Sequence, residues 1–497
     1  MVTNIFPERN QIANEILCRN NPSEVLVVPV DFAKKTHVAQ VARGTGEYLY
    51  KRPLNVHNTD AGACFLLEKV EKHRQKYRIP KGNVLFGGED PGEYAWNFIL
   101  RIQSTGYQFV RVNAKEAKKH RTNTRATSDE LALAGIAQTV LLRRSYSIEQ
   151  HDEIFGTMKR AERTRRKLIC AQTAVKNRIH RDVDVLLPGF LKEGASGCPP
   201  FSEASLELME DRFSVVQVRR MRLETLTKRL RKAKLHKPEQ VAASIKTLAE
   251  NALPPAPSCV AYFQKSLAAK VRHLRSLREN IRLEENEMAR SLVQTPGFLL
   301  TTIPGLGIVL AGGIVAEYGN PDSWPHPNKM ASYAGIVARH YQSGGPDIEP
   351  VSGHLPIDAN HHLKDQLLQA AYYTGRFTHP AWQQLKLPGE HPLYEHYQRV
   401  EMREGRSRLS TAKKLLVVAR AMMRERAVYL PPNALSPGTS GAISSRQYVE
   451  YLSIVRNMLN SKWKKYDLDG IPDDRNQITQ WMENVDELTA FVRKQDK

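Results

Sequence analysis

The stretch "EVLVVPVDFAKKTHVAQVARGTGEYLY" (residues 24–50) decides how the fold is read. Residues 25–30 are a continuous apolar run that stops at Asp31. A run of this kind reads as a strand buried on both faces. "THVAQVA" (36–42) then alternates apolar and polar residues, the pattern of a half-buried strand. "GTG" (44–46) turns the chain into "GEYLYKRPL" (46–54), expected as a third strand. The stretch predicts a three-strand meander.

Downstream, the period changes from two to 3.6 and back. "NTDAGACFLLEKVEKHRQKY" (58–77) reads as a helix capped by Asn58 or Thr59. "NVLFGGE" (83–89) is a buried strand, "GEYAWNFILRIQSTG" (92–106) a helix and "YQFVRVN" (107–113) another strand. Residues 128–142 are helical, with Ser128 in the cap position. The order βββαβαβα predicts an α/β layer with a mixed sheet.

Acids stand where such a sheet presents its chemistry. Asp31 ends the first strand, Glu89 ends "NVLFGGE", and Asp129 opens the later helix with Glu130 beside it. Converging carboxylates repel one another unless a cation holds them. An oxygen-only donor set selects Mg²⁺ or Mn²⁺. Two such ions about 4 Å apart can activate an attacking oxygen and stabilise a leaving one on phosphate. An acid on the first strand, one after the fourth and one on a later helix is the order of RNase H-like nucleases.

The bulk numbers agree. Of 497 residues, 73 are Lys or Arg and 52 Asp or Glu, a formal charge of +21. That excess points to a polyanionic partner, nucleic acid before an anionic membrane. Without an 18-residue apolar run the sequence predicts no membrane span. The first 21 residues carry acids and lack the apolar core of a secretion signal. Five scattered Cys with no CxxC pair argue against a zinc ribbon or a disulfide scaffold and predict a reducing cytoplasm.

The composition divides the chain into a polar arm (1–22), the α/β region (23–148), a helical region (149–294), a compact Gly-rich unit (295–380) and a helical extension (381–497). In the helical region, residues 158–187 and 201–235 each read as one long helix. Leu267, Leu274, Ile281 and Met288 recur every seven residues, with Val271 and Leu292 between them. This spacing predicts a coiled coil or helical hairpin, a natural device for a homo-oligomer. "TTIPGLGIVLAGGIVAEYG" (301–319) has the form of a helix-hairpin-helix. There Gly305 and Gly307 make the turn, and free N–H groups at the next helix start can grip a phosphate.

These segments resemble the DEDD transposases of a bacterial insertion-sequence group, bridge-RNA-guided recombinases with a RuvC-like N-terminal domain. The first family motif, a strand ending in Asp, is similar to "VPVDFAKKTHVAQV". The second is similar to "GGEDPGEYAW", which supplies Glu89, Gly92 and Tyr94. The third, a basic run leading to an Asp pair on a helix, is similar to "KEAKKHRTNTRATSDELALAGIA", with Lys118, Lys119, Arg121 and Arg125 in the run as candidate nucleic-acid-binding residues. Here the partner of Asp129 falls on Ala132 or Ala126, so one carboxylate of the pair is missing. Glu130, the adjacent acid, is the candidate metal ligand to substitute for it, although a helical neighbour points about 100° away. "AEYGNPDSWPHPNKMASYAGIVARHYQSGG" (316–345) follows the family's C-terminal domain to Ser-Gly-Gly, and "DANHHLKDQLLQAA" retains Asn360 and Leu363.

The resemblance implies a RuvC-like α/β domain, then a helical region, then a mainly α serine transposase domain. It implies that Ser343, followed by Gly344, is a nucleophile that forms a covalent link to a DNA strand. It also implies that Asp31, Glu89 and Asp129 hold Mg²⁺ or Mn²⁺ for catalysis, and that a structured RNA selects the DNA. Two other functions fit the residues: a RuvC-like nuclease that uses water, and a nucleic-acid-binding scaffold that has lost catalysis.

Overall fold

The computed structural model describes residues 11–89, 95–121, 128–147, 152–211, 213–324, 326–338, 340–341, 351–356, 359–387, 389–404, 406–430 and 443–495. The chain forms two compact units, Met1–Asp152 and Glu153–Lys497.

The first unit is a mixed sheet. Its strands are β1 (Leu26–Asp31), β2 (Thr36–Ala39), β3 (Ala42–Arg43), β4 (Leu54–His57), β5 (Val84–Glu89), β6 (Gln108–Val112) and β7 (Tyr146–Ser147). They lie in the order β4-β2-β1-β5-β6-β7, with β3 also paired to β1. β1, β2 and β4 form the antiparallel meander, and β5 and β6 run parallel to β1. This arrangement is compatible with a RuvC-like fold. The third long strand begins later than the sequence pattern suggests. Tyr48 makes only an isolated bridge to Ala42, and the ladder with β2 starts at Leu54. Pro53 explains the delay, because proline has no N–H to give to a ladder.

Helices α1 (Gln11–Arg19), α2 (Asp60–Lys76), α3 (Trp96–Ser104), α4 (Ala114–Lys119) and α5 (Asp129–Leu141) cover the sheet. Strand alternation sorts the core. Leu26, Val28, Val30, Phe86 and Phe109 pack with Leu66 of α2 and Phe98 of α3. Val27, Leu85 and Val110 pack on the other face with Ala117 of α4 and Ile136 and Val140 of α5. α1, expected in a polar arm, buries Ala13 and Ile16 in that second core. Gly87 sets how closely α5 approaches: a Cβ there would lie 2.6 Å from Val140 Cγ2.

The second unit begins with α6 (Asp152–Leu186) and α11 (Pro257–Leu292), joined by α7 (Glu203–Glu210), α8 (Val215–Arg220), α9 (Leu223–Lys232) and α10 (Pro238–Asn251). α6 and α11 run antiparallel, tied by Lys270–Asp182 (2.6 Å) and Arg165–Glu285 (2.8 Å). All six heptad-stripe residues are buried; Leu267, Val271 and Leu274 belong to one hydrophobic core, and Met288 and Leu292 to another. The single helix expected over 201–235 is broken into three. Ser202 and Ser214 turn their hydroxyls onto the N–H groups of Ser205 and Gln217 and so start new helices.

A 3-10 helix (Pro296–Thr302), α12 (Ile308–Tyr318), α13 (Pro327–Tyr333), the paired strands β8 (His340–Tyr341) and β9 (Val351–Ser352), and α14 (His361–Thr374) come next. α15 (Pro380–Gln384), α16 (Pro392–Glu404), α17 (Ser407–Glu425), α18 (Ser445–Trp463) and α19 (Gln477–Gln495) complete the chain. Residues 295–380 and 381–497, distinct in composition, share one core: Leu300, Ile314 and Leu367 pack with Leu415, Val455 and Trp463.

Candidate functional site

The register of β1 and β5 pairs Val30 with Gly88, so Asp31 and Glu89 are the next residues on neighbouring parallel strands. Both share the parity of Val27 and Leu85, so both face α5. α5 starts at that end of the sheet with Asp129, held by the Ser128 hydroxyl accepting from the Leu131 N–H at 3.3 Å. Local sequence thus fixes three acids at one sheet end: two by strand alternation, one by a helix cap.

The electrostatics record their proximity. Burial raises the Asp31 pKa, and the Asp129 charge raises it further. Burial and then the Asp31 charge raise that of Glu89. Arg121 pulls both partly back. Its guanidinium lies 3.8 Å from Glu89 Oε1, yet that oxygen and Arg121 Nε are buried without a hydrogen bond. Burial chiefly pushes the Tyr48 phenol up, and the Glu130 charge adds to it.

This donor set suits a hard cation. It is made of oxygens, it repels itself, and one of its buried oxygens accepts nothing. Among the described residues no three Asp, Glu, His or Cys side chains stand close enough to hold an ion between them. Two strand-end carboxylates with a third acid nearby are therefore what the fold provides.

The basic run expected to bind nucleic acid divides. Lys118 and Lys119 are exposed at the end of α4, with Lys119 paired to Glu116 at 2.6 Å. Arg121 turns inward to Glu89, while Arg125 lies outside the described residues. At the hairpin, Gly305 has φ +78°, and a Cβ on it would lie 2.7 Å from the Tyr373 backbone. Gly307 starts α12 with no side-chain cap, and a Cβ there would meet nothing within 4 Å. The preceding element is a 3-10 helix. Lys462 of α18 donates to the carbonyls of Thr301 (2.6 Å) and Leu306 (3.0 Å). Burial pulls its ammonium down to about 8. Ser343 and Gly344 lie outside the described residues; β8 and β9 flank that segment, pairing Tyr341 with Val351.

A second acidic centre escaped the sequence reading. Glu317 of α12 is buried and meets Lys159 and Arg163 of α6, each at 3.0 Å, and Asn360 Nδ2 at 2.7 Å. Burial pushes this carboxyl up, but the two cations and Asn360 outweigh it and hold it below the usual range. One turn away, the buried Glu162 accepts from Gln366 at 2.8 Å and lies 3.6 Å from His362 Nδ1. The available signal was the spacing of Lys159, Glu162, Arg163 and Arg166, which repeats on one helix face.

Residues 28–188 match a family model of DEDD transposases of the IS110 type, described as Transposase. Residues 298–386 match the model described as Transposase IS116/IS110/IS902 family. The two matches together take in about half of the chain and include Asp31, Glu89, Asp129 and the position of Ser343. No curated protein sequence matches the chain.

Proposed function

The chain belongs to the IS110-type DEDD transposases, so it acts in DNA transposition and recombination, and from that premise we propose how it cuts and rejoins strands. Asp31 and Glu89, with Asp129, hold Mg²⁺ or Mn²⁺. When bound, the ion draws electron density from the phosphate oxygens and eases loss of a hydroxyl proton. Arg121 keeps the two strand-end carboxylates ionised and in register. Ser343 is the nucleophile. Its Oγ–P bond forms as the bond from phosphorus to a sugar oxygen breaks; the serine loses its proton and the departing oxygen takes one up. A structured RNA selects the DNA by base pairing, and the protein reads shape and phosphate. The working form is a homo-oligomer.

The observation that carries this reading is the convergence of acids at one sheet end, where burial and then the Asp129 charge raise the Asp31 pKa, burial and then the Asp31 charge raise that of Glu89, and Arg121 pulls both partly back. The Ser343 assignment is supported by the family match over 298–386 and by the Ser-Gly-Gly sequence. The test uses purified protein, its RNA and labelled DNA. Wild type should yield a protein–DNA adduct that survives denaturant. Ser343→Ala should bind DNA and RNA and form no adduct. Recombination by that variant contradicts the assignment, and cleavage without an adduct favours the water-using nuclease. One observation favours the inactive scaffold: Ala126 and Ala132 occupy both positions where a second Asp would stand. Absence of any cleavage with Mg²⁺ or Mn²⁺ would select that reading.

A further inference from the structure

The C-terminal end of α14 presents aromatic rings and guanidinium groups together. Arg376 and Arg408 lie over the Tyr372 ring, 3.9 and 4.4 Å from its centroid. Arg376 also donates one N–H to the Tyr372 hydroxyl, which with the stacking fixes its plane and leaves its remaining N–H groups to turn to an anion. Neither arginine has an acidic partner within ion-pair distance among the described residues. Beside them Tyr373 and Phe377, with ring centroids 6.3 Å apart, are 41% and 53% exposed.

A cavity of about 280 Å³ opens here, lined by Tyr372, Tyr373, Arg408, Gln369, Leu368 and Asp365. That is near the lower end of the range for small-ligand sites, about 300 Å³. Its volume is on the scale of one planar group. Gln369 offers an amide that can donate to and accept from a base edge. Asp365 is paired with Arg166, so its charge is offset. The patch also adjoins the hairpin turn, because Gly305 packs on the Tyr373 backbone.

We propose that Tyr373 and Phe377 stack an unpaired base of single-stranded DNA, while Arg376 and Arg408, held by Tyr372, take its phosphates. Exposed rings beside arginines that have no acidic partner among the described residues are the combination that binds single strands, and the protein's net charge of +21 favours a polyanion. Strand exchange passes through unpaired DNA, and this surface gives it a resting place. The proposal rests on the reading that the chain acts on DNA strands.

The test measures binding of the full chain to an oligo-dT carrying one 2-aminopurine, in EDTA. Without divalent ions the carboxylate centre plays no part, so failure of this site and failure of the metal reading are distinguishable. Wild type should quench the probe. The double variant Tyr373→Ala/Phe377→Ala should weaken single-strand binding about tenfold or more and leave duplex affinity within about twofold. Both side chains are exposed, so its circular dichroism melt should match wild type. Tyr373→Trp, with a larger stacking face, should retain or tighten binding without altering the fold. Equal losses for single strand and duplex, or no loss for either, overturn the proposal. Quenching by a matched RNA oligonucleotide and not by DNA overturns its assignment to DNA.

Discussion

Two groups of buried or half-buried acids in this protein sit in opposite electrostatic situations. Glu317 meets two cations and an amide, and its carboxyl is held below the usual range. Burial, and then the charges of Asp129 on Asp31 and of Asp31 on Glu89, raise the pKa values of Asp31 and Glu89, and among the described residues Arg121 is the cation that offsets them. The fold supplies the partners of the first acid from its own helices. It leaves the second group short of positive charge, at a strand end where α/β sheets present their chemistry. The comparison teaches that burial alone does not mark a site. What marks one is buried charge that the protein itself does not neutralise.

The largest effect that sharpens this contrast is on activity. Asp31→Asn keeps the side-chain volume and removes the charge. It should lower metal-dependent strand cleavage by more than about a thousand-fold, consistent with the loss of several kcal/mol of charge stabilisation. Glu317→Gln should act on the fold instead. It leaves Lys159 and Arg163 beside a neutral amide, at a cost of about 3 kcal/mol in urea unfolding. Cleavage per folded molecule should change far less than in Asp31→Asn. If the two substitutions exchanged effects, the contrast would break.

A third prediction concerns buried groups that the fold satisfies without charge. His379 and His391 are buried, and desolvation lowers them to about 3 and about 4. His379 accepts from the Ala381 N–H at 3.1 Å, and His391 Nε2 meets the Phe377 carbonyl at 2.8 Å. A lowered folded pKa means that the unfolded chain binds more protons. Stability is therefore full above about pH 6.5 and falls by about 1.4 kcal/mol per pH unit for each histidine as pH drops toward 4. Tryptophan fluorescence should follow it, since Trp324, Trp382, Trp463 and Trp481 all lie in the second unit. His379→Gln should flatten the slope.

The smallest effect is the most diagnostic of strain. A raised folded pKa contributes stability at low pH that is lost as pH rises through it, so ionised Asp31 is a liability at neutral pH. Asp31→Asn should raise the stability of metal-free protein by up to about 1 kcal/mol at pH 7. The gain should vanish as pH falls to 4. A loss of stability at pH 7 would mean that Arg121 already satisfies the site.

Much of this was legible in the sequence, for physical reasons. A six-residue apolar run that ends in Asp fixes β1, and Ser128 before Asp129 fixes the start of α5. Strand alternation then carries Asp31 and Glu89 to one face. Features set by tertiary contact were not legible. Arg121 sits in a basic run that reads as nucleic-acid-binding, yet the fold turns it to Glu89. Arg163 and Glu317 meet across 154 residues of chain, where no local period can link them. The heptad stripe of α11 marks the buried face, and α6 and α7 cover part of it within the same chain, a pairing that the stripe itself does not name. Pro53 did carry a readable signal: it delays β4 until Leu54.

The most direct measurement is the thermal midpoint of the full chain with and without Mn²⁺, for wild type, Asp31→Asn and Glu317→Gln. A cation held by Asp31 and Glu89 should raise the wild-type midpoint, and should raise that of Glu317→Gln by a similar increment from a lower start. It should leave Asp31→Asn unmoved. An equal rise in wild type and Asp31→Asn, or no rise in wild type, would contradict the assignment of these carboxylates to a metal.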